Sequence, residues 1–339
     1  MKNDMTLSIE KLKNLSESMT RCQYIEAIDQ LDAVVATFVV SHQIKTELAK
    51  KLRVGLSYEV KLLADGKPAH TAKGDIVEVR HSRRKGRHHI TVVGLDSLHR
   101  LRGASAEAQV WKVTHDKIIK EIAKRNKLKA KTEGVSGSAG ETLQNEGTDA
   151  LFLRRLAAEN NYYIRVSNGS IVFGRKKSKG KTTLDYRHDI HEIEQKTSLD
   201  NIVTKVTVHG SDYLQDKAFT GVATPSDLTK ISRGTSGPAL LKKMMGEREL
   251  IINHSGYGEV SRAKARAKAE LQVRAEHFLQ GSVWTDGLPS AVSGQAIQIK
   301  NAGWPLDGNF LIRQTVHTRN PRSYRTRIDF MSDSLPGES

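Results

Sequence analysis

The chain has 339 residues and a formal net charge of +16, with 37% hydrophobic and only 5% aromatic residues. That length suits one large domain or two to three small ones, and that charge calls for an acidic protein surface or for nucleic acid. The basic runs carry no interleaved aromatics, which excludes a stacking platform for single strands; Cys22, the only cysteine, excludes an internal disulfide and a thiolate metal cluster.

Residues 1–30 are polar and weakly patterned, without a signal-peptide core, and read as an N-terminal arm or an edge element. The run AVVATFVV, ending near Ser41, is strand-like, and Thr46 to Lys51 suits one helical turn. In LRVGLSYEVKLLADG, Gly55 precedes an alternating strand and Asp65-Gly66 is a hairpin signal. KGDIVEVR and HHITVVGLDSLHRL are two more strands, joined by the basic loop RHSRRKGRHH from Arg80 to His89. THDKIIKEIAKRNKL predicts a helix with Thr114 as N-cap and Ile118, Ile119, Ile122 and Ala123 on one face. The Gly/Ser-rich stretch 131–147 reads as a linker. TDALFLRRLAAENN predicts a second helix, capped by Thr148 and burying Phe152, Leu153, Leu156 and Ala157; YYIRVSNGSIVFG is a hairpin turning at Asn168-Gly169.

DIHEIEQKTSLDNIVTKVTVHGSD supplies two strands, and residues 216–257 read as a loop broken by Gly221, Pro225, Gly234, Gly237 and Pro238. SRAKARAKAELQVRAEHFLQG predicts the clearest helix, capped by Ser261, with Ala267, Leu271, Ala275 and Phe278 on one face. From Gly281 to Phe330 the chain alternates like a sheet: Ile297 and Ile299, then Phe310, Leu311 and Ile312, then Ile328 and Phe330. Its breaks are turn chemistry, at Gly287 with Pro289, Ser293-Gly294, Asp307-Gly308 and Asn320-Pro321. The segments opening at Gly74 and Gly308 share one plan: an apolar strand, a basic loop with a histidine, and a return strand to Asp-Ser. A duplicated barrel is the expectation.

In the last fifty residues the series Gly-Leu-Pro, Ser-Gly-Gln, Leu-Asp-Gly, Ile-Arg, His-Thr and Arg-Thr-Arg-Ile-Asp-Phe resembles late control protein D. That family supplies the baseplate hub of contractile phage tails and the hub half of VgrG proteins. Thr-Asp-x-x-Phe-Leu-x-Arg-Leu-Ala from Thr148, Lys-Val-Thr-Val-x-Gly from Lys205 and the Ala-rich helix extend the resemblance over about residues 35–332. It implies a β-rich α+β fold of two similar antiparallel, tube-like β-barrels, a small α/β insert and one long Ala-rich helix. The corresponding domains are an arm (1–30), a first hub barrel (31–105), the insert with its linker (106–180), and a second hub barrel (181–335) holding loop 216–257 and helix 261–280. It further implies a homotrimeric ring of pseudo-sixfold symmetry between a hexameric tail tube and a trimeric spike, with tape-measure and baseplate wedge proteins as further partners. The chain stops nine residues after Phe330, so the spike is expected to be a separate polypeptide. Assembly in the bacterial host cytoplasm and a final place in a virion tail or injection-particle baseplate follow, with no membrane anchor.

Arg80, Arg83, Arg84, Lys85 and Arg87 are the candidate interface residues. They suit acidic loops of a neighbouring ring or chain, while duplex phosphates and plain solvation remain the competing readings. GRKKSKGKTT, from Gly174, fails as a phosphate loop because five residues separate its glycines and a strand follows. His188 and His191 stand three apart on a strand, facing opposite ways, which does not suit a metal. No nucleophile elbow or paired-carboxylate pattern calls for an enzyme, and no cofactor is expected. Trp111, Trp284 and Trp304 read as core or interface anchors. The competing class is a basic nucleic-acid-binding protein.

Overall fold

The computed structural model describes residues 3–10, 12, 15–28, 30–40, 50–103, 107–135, 141–167, 170–175, 181–212, 217–254 and 260–337. Its frame is a twelve-stranded sheet. The first half comprises β1 (Asp4–Ile9), a helical turn α1 (Leu15–Ser18), β2 (Met19–Ala27), β3 (Ala33–Val40), β4 (Ser57–Ala64), β5 (Lys67–Arg84) and β6 (Arg87–Asp96). These strands are hydrogen-bonded in the order β1-β4-β5-β6-β3-β2. In β3 the inward positions are Val34, Ala36, Phe38 and Val40, the period-two face of a β-branched run. They pack with Met5, Tyr24, Val60, Ile76 and Ile90 around one core, each fully buried apolar side chain contributing roughly 1.5–3 kcal/mol. Both hairpins turn on two residues of positive φ, Asp65-Gly66 at 50° and 76° and Lys85-Gly86 at 47° and 73°, the backbone that suits strand twist. Gly94 admits the Tyr58 ring, which a Cβ there would approach to 2.5 Å.

Residues 1–30 are therefore not an arm. β1 is an edge strand on β4, and β2 lies inside the sheet. RHSRRKGRHH is likewise not a loop but the paired end of β5 and β6, with only Lys85-Gly86 unpaired.

A first α/β unit follows: β7 (Gln109–Trp111), α2 (His115–Arg125), β8 (Lys129–Glu133), β9 (Thr142–Gln144), α3 (Asp149–Glu159), β10 (Tyr162–Ser167) and β11 (Ser170–Arg175). Helices α2 and α3 bury the faces their spacing predicts and pack on the sheet β10-β11-β8. Thr148 Oγ1 accepts from Leu151 N at 3.3 Å, whereas Thr114 makes no side-chain cap bond. The linker expected over 131–147 is partly strand, since its start completes β8 and Thr142–Gln144 forms β9, paired with β7. The turn at Asn168-Gly169 and residues 176–180 lie outside the described residues.

The second half begins with β12 (Lys181–Asp185) and β13 (Ile190–Thr197) and is then interrupted by a second α/β unit: β14 (Lys205–Asp212), β15 (Lys217–Ala223), α4 (Gly237–Met245), β16 (Glu249–His254) and α5 (Val260–Ala275). Ala263, Ala267 and Leu271 of α5 pack on Val206 and Val208 as a core of their own. This overturns two expectations. Residues 217–254 are ordered elements rather than a loop, because Pro238 near the start of α4 begins a helix instead of breaking one. Lys205–Asp212 opens this unit, apart from the barrel sheet, although it falls within the 181–335 span expected as the second hub barrel. Ser261 sits inside α5 rather than capping it, and Phe278 lies beyond the helix in the core of the second barrel.

The sheet resumes with β17 (Leu279–Asp286), β18 (Ala296–Lys300), β19 (Gly308–Asn320) and β20 (Ser323–Ser332). Their order, β12-β18-β19-β20-β17-β13, repeats that of the first half strand for strand. The registers repeat as well. Glu78↔Val93 becomes Gln314↔Asp329, and Arg84↔Arg87 becomes Asn320↔Ser323. The bulge between Ile76 and Glu78 reappears between Ile312 and Gln314, and that between Met19 and Arg21 reappears between Ile190 and Glu192. The halves depart in that β1 runs antiparallel to β4 while β12 runs parallel to β18, and in a register shift between Leu62 and Leu63 that the β18–β19 ladder lacks. Each set of six curls around its own core, and β2 pairs with β19 from Ala27↔Gln314 to Cys22↔Arg319, joining the two barrels.

Candidate interface: the basic hairpin and the barrel junction

Arg80, Arg83, Arg84, Lys85 and Arg87 are all exposed. They lie along the two paired strands and the turn at the end of the β5–β6 hairpin, which spreads their charge into a stripe. Arg80 Nη2 is 2.6 Å from Glu78 Oε1. Among the described residues no carboxylate pairs with Arg83, Arg84, Lys85 or Arg87. His81 Nδ1 is 3.2 Å from His88 Nε2, with the rings 5.3 Å apart.

The junction of β2 with β19 is chemically different. Tyr24, Glu26 and Asp32 are buried beside His317 and the half-buried His70. Tyr24 OH donates to Asp32 Oδ2 at 3.1 Å, and its ring stacks on His317 at 6.2 Å. Ser293 Oγ donates to Glu26 Oε1 at 3.1 Å, while Glu26 Oε2 has no hydrogen-bond partner and lies 3.8 Å from His70 Nε2. Asp32 N donates to Asp96 Oδ2 at 2.9 Å, and Tyr324 OH and Thr326 Oγ1 lie 2.9 and 3.1 Å from His317 Nδ1.

Burial sets the protonation of this cluster. It pushes the Glu26 carboxyl up to about 7, against the hydrogen bond from Ser293, and the Asp96 carboxyl up to about 6. Burial, then the neighbouring Glu26 and Asp96 carboxylates, hold Asp32 well above the usual carboxylate range. Burial, and then His70, bring the His317 imidazole down to about 3, and burial drives the Cys22 thiol up to about 12. The arrangement favours neutral groups locked between two barrels. It offers structural cohesion between the two barrels.

Sequence reasoning missed this cluster, although Cys22, Tyr24 and Glu26 stand at period two on one strand and could have marked an inward face. The other sequence candidates are dispersed. His191 Nε2 meets Asp286 Oδ1 at 2.9 Å on the surface, and His188 lies in the preceding turn. Among the described residues no group of three or more His, Cys, Asp or Glu could hold a metal ion. Trp111 Nε1 donates to Gln144 Oε1 at 2.9 Å, the Arg327 guanidinium covers Trp284 at 5.7 Å, and Trp304 is 60% exposed.

Residues 36–320 match a family model described as the Alg8 N-terminal domain. The chain belongs to that family. The description of the Alg8 N-terminal domain family mentions neither tail nor baseplate, and the tail likeness comes from solved structures. No curated protein matches the chain. The 43 kDa tail protein of prophage MuSo2 from Shewanella oneidensis aligns at TM-score 0.76 and 15% identity, over 98% of this chain and 100% of its own. A tail protein of Neisseria meningitidis MC58 aligns at 0.74 and 16%, over 98% and 97%. A type VI secretion component of E. coli, whose description notes similarity to T4 tail proteins gp27 and gp5, aligns at 0.60 and 11%, over 98% and 79%. This member of the Alg8 N-terminal domain family therefore has a β-rich α+β fold shared with those tail and secretion proteins.

Proposed function

We propose that the chain is a structural hub of a contractile injection machine, of the late control protein D kind. In this reading three copies form a ring that joins a hexameric tail tube to a trimeric spike. The observation that carries it is the internal repeat: two barrels of identical strand order, sharing two bulges at corresponding positions, lie side by side in one sheet. Three such chains present six similar surfaces to a sixfold tube and three to a threefold spike, a match that needs no catalysis. The shared fold of phage tail and type VI secretion proteins supports the reading. Assembly takes place in the bacterial cytoplasm, and the finished protein resides in the baseplate of a virion or injection particle, beside tape-measure and wedge proteins.

Sedimentation velocity of the purified protein at moderate and high salt tests this, with particle images of the assembled peak. The expected species has a mass of about 113 kDa, three times the 37.6 kDa chain, and a central hole. A monomer that binds random duplex DNA and releases it with salt overturns the hub and supports the basic nucleic-acid-binding alternative, which Arg83, Arg84, Lys85 and Arg87 also suit.

A further inference from the structure

The repeat makes the two barrels directly comparable, and the comparison exposes two unfilled places. Strand β2 has β3 on one edge and β19 on the other. Its twin β13 has β17 on the corresponding edge, and among the described residues no strand lies on the other. Strand β19 carries β20 on one edge; its opposite edge carries β18 and then, from Gln314 to Arg319, β2. Its twin β5 carries β6 and β4 in the same manner, but no described strand takes the place of β2 between Glu78 and Arg84.

Burial marks both gaps. Thr315 and His317 are fully buried at the junction, whereas their twins Val79 and His81 are half-buried and exposed. Cys22, Tyr24 and Glu26 are buried, whereas their twins Ile193, Gln195 and Thr197 are half-buried, half-buried and exposed. An open edge of this kind is a template for strand addition.

We propose that β13 of one copy pairs antiparallel with β5 of a second copy between Glu78 and Arg84, reproducing between chains the ladder that β2 and β19 make within one. Transferring that ladder fixes the register. His317↔Tyr24 becomes His81↔Gln195, Thr318↔Gln23 becomes Ser82↔Glu194, and Arg319↔Cys22 becomes Arg83↔Ile193, with Arg84 next opposite Glu192. The charges agree with this partner. The β5 edge carries Arg80, Arg83 and Arg84, and the β13 edge carries Glu192 and Glu194, all exposed. The transferred register also sets Arg80 against Lys196, a like-charge pair relieved by Glu78 beside Arg80 and by Glu194 on the diagonal. The contact is head-to-tail, so it makes a ring where the rotation closes and a filament where it does not; that it closes, and at three, rests on the hub reading above.

The test is a cysteine pair. Ser82→Cys with Glu194→Cys in one chain is oxidised and run on a non-reducing gel beside sedimentation of the reduced sample. Cys22 stays in place, since it is buried. Disulfide-linked species that end at three chains are expected. Ser82→Cys with Gln195→Cys, shifted by one residue onto the opposite face, is expected to give none. A trimer in sedimentation without the Ser82–Glu194 cross-link overturns this register and leaves the hub reading standing, while monomers without cross-links at high protein concentration overturn both. As an independent readout, Arg84→Glu is expected to weaken association several-fold and Glu192→Arg to restore it in the double variant; absence of that rescue counts against the pairing.

Discussion

Replacing Glu26 by glutamine removes one carboxyl from the barrel junction while keeping the acceptor that Ser293 Oγ uses. The Glu26 carboxyl is 2% exposed, and burial raises it from 4.5 to about 7. Below about pH 4.5 both folded and unfolded chains hold the proton, and Glu26 then costs nothing. Between about 4.5 and 7 the folded chain keeps a proton that the unfolded chain has released, so stability falls as pH rises, and above 7 the loss is constant. At 1.36 kcal/mol per unit, the loss amounts to about 3 kcal/mol. Asp32 and Asp96 add to the same trend, while His70 and His317, held neutral by burial, oppose it at acid pH. All four are present in both proteins, and the difference between them reports Glu26 together with the part of the Asp32 shift that the Glu26 carboxylate causes, which acts in the same direction. Urea unfolding at pH 4 and pH 8 is therefore expected to show Glu26→Gln gaining up to about 3 kcal/mol over the parent on going to pH 8. Stability curves that run parallel across that range refute the burial argument.

Gly94→Ala places a methyl against the Tyr58 ring and is expected to cost about 1–3 kcal/mol, read as a lower urea midpoint with unchanged slope. Cys22 is buried, and its thiol is raised to about 12; a thiol reagent at neutral pH is expected to label it only after unfolding, and labelling of the native protein would place β2 elsewhere.

What the sequence yielded was local chemistry. The alternation of β3 and of β17 to β20, the two-residue turn at Asp65-Gly66, and the Thr148 cap with its Phe152 to Ala157 face are all written within a dozen residues, and all are present. The exposure of Arg80 to Arg87 was legible from charge alone, though not their place on strands, because polar residues on both faces hide a period of two. The place of β2 could not be read. Its inward Glu26 breaks the apolar pattern, and its partner strand lies at the other end of the chain. The second α/β unit was hidden by Gly237 and Pro238, which serve a helix start and look like a break. The second repeat was obscured by that unit, inserted between β13 and β17.

The ladder between β2 and β19 has a consequence in time. Gln23 and Thr318, bonded across it, are 295 residues apart. At roughly 5–20 residues per second on the ribosome, β2 waits on the order of 15–60 s for its neighbour. Throughout that interval β2 carries an open edge that the finished protein covers with β19. The amino-terminal barrel thus emerges early yet gains its flank only when β19 has emerged, which makes the final segment of synthesis the step that separates a well-formed subunit from one prone to pair with the wrong strand.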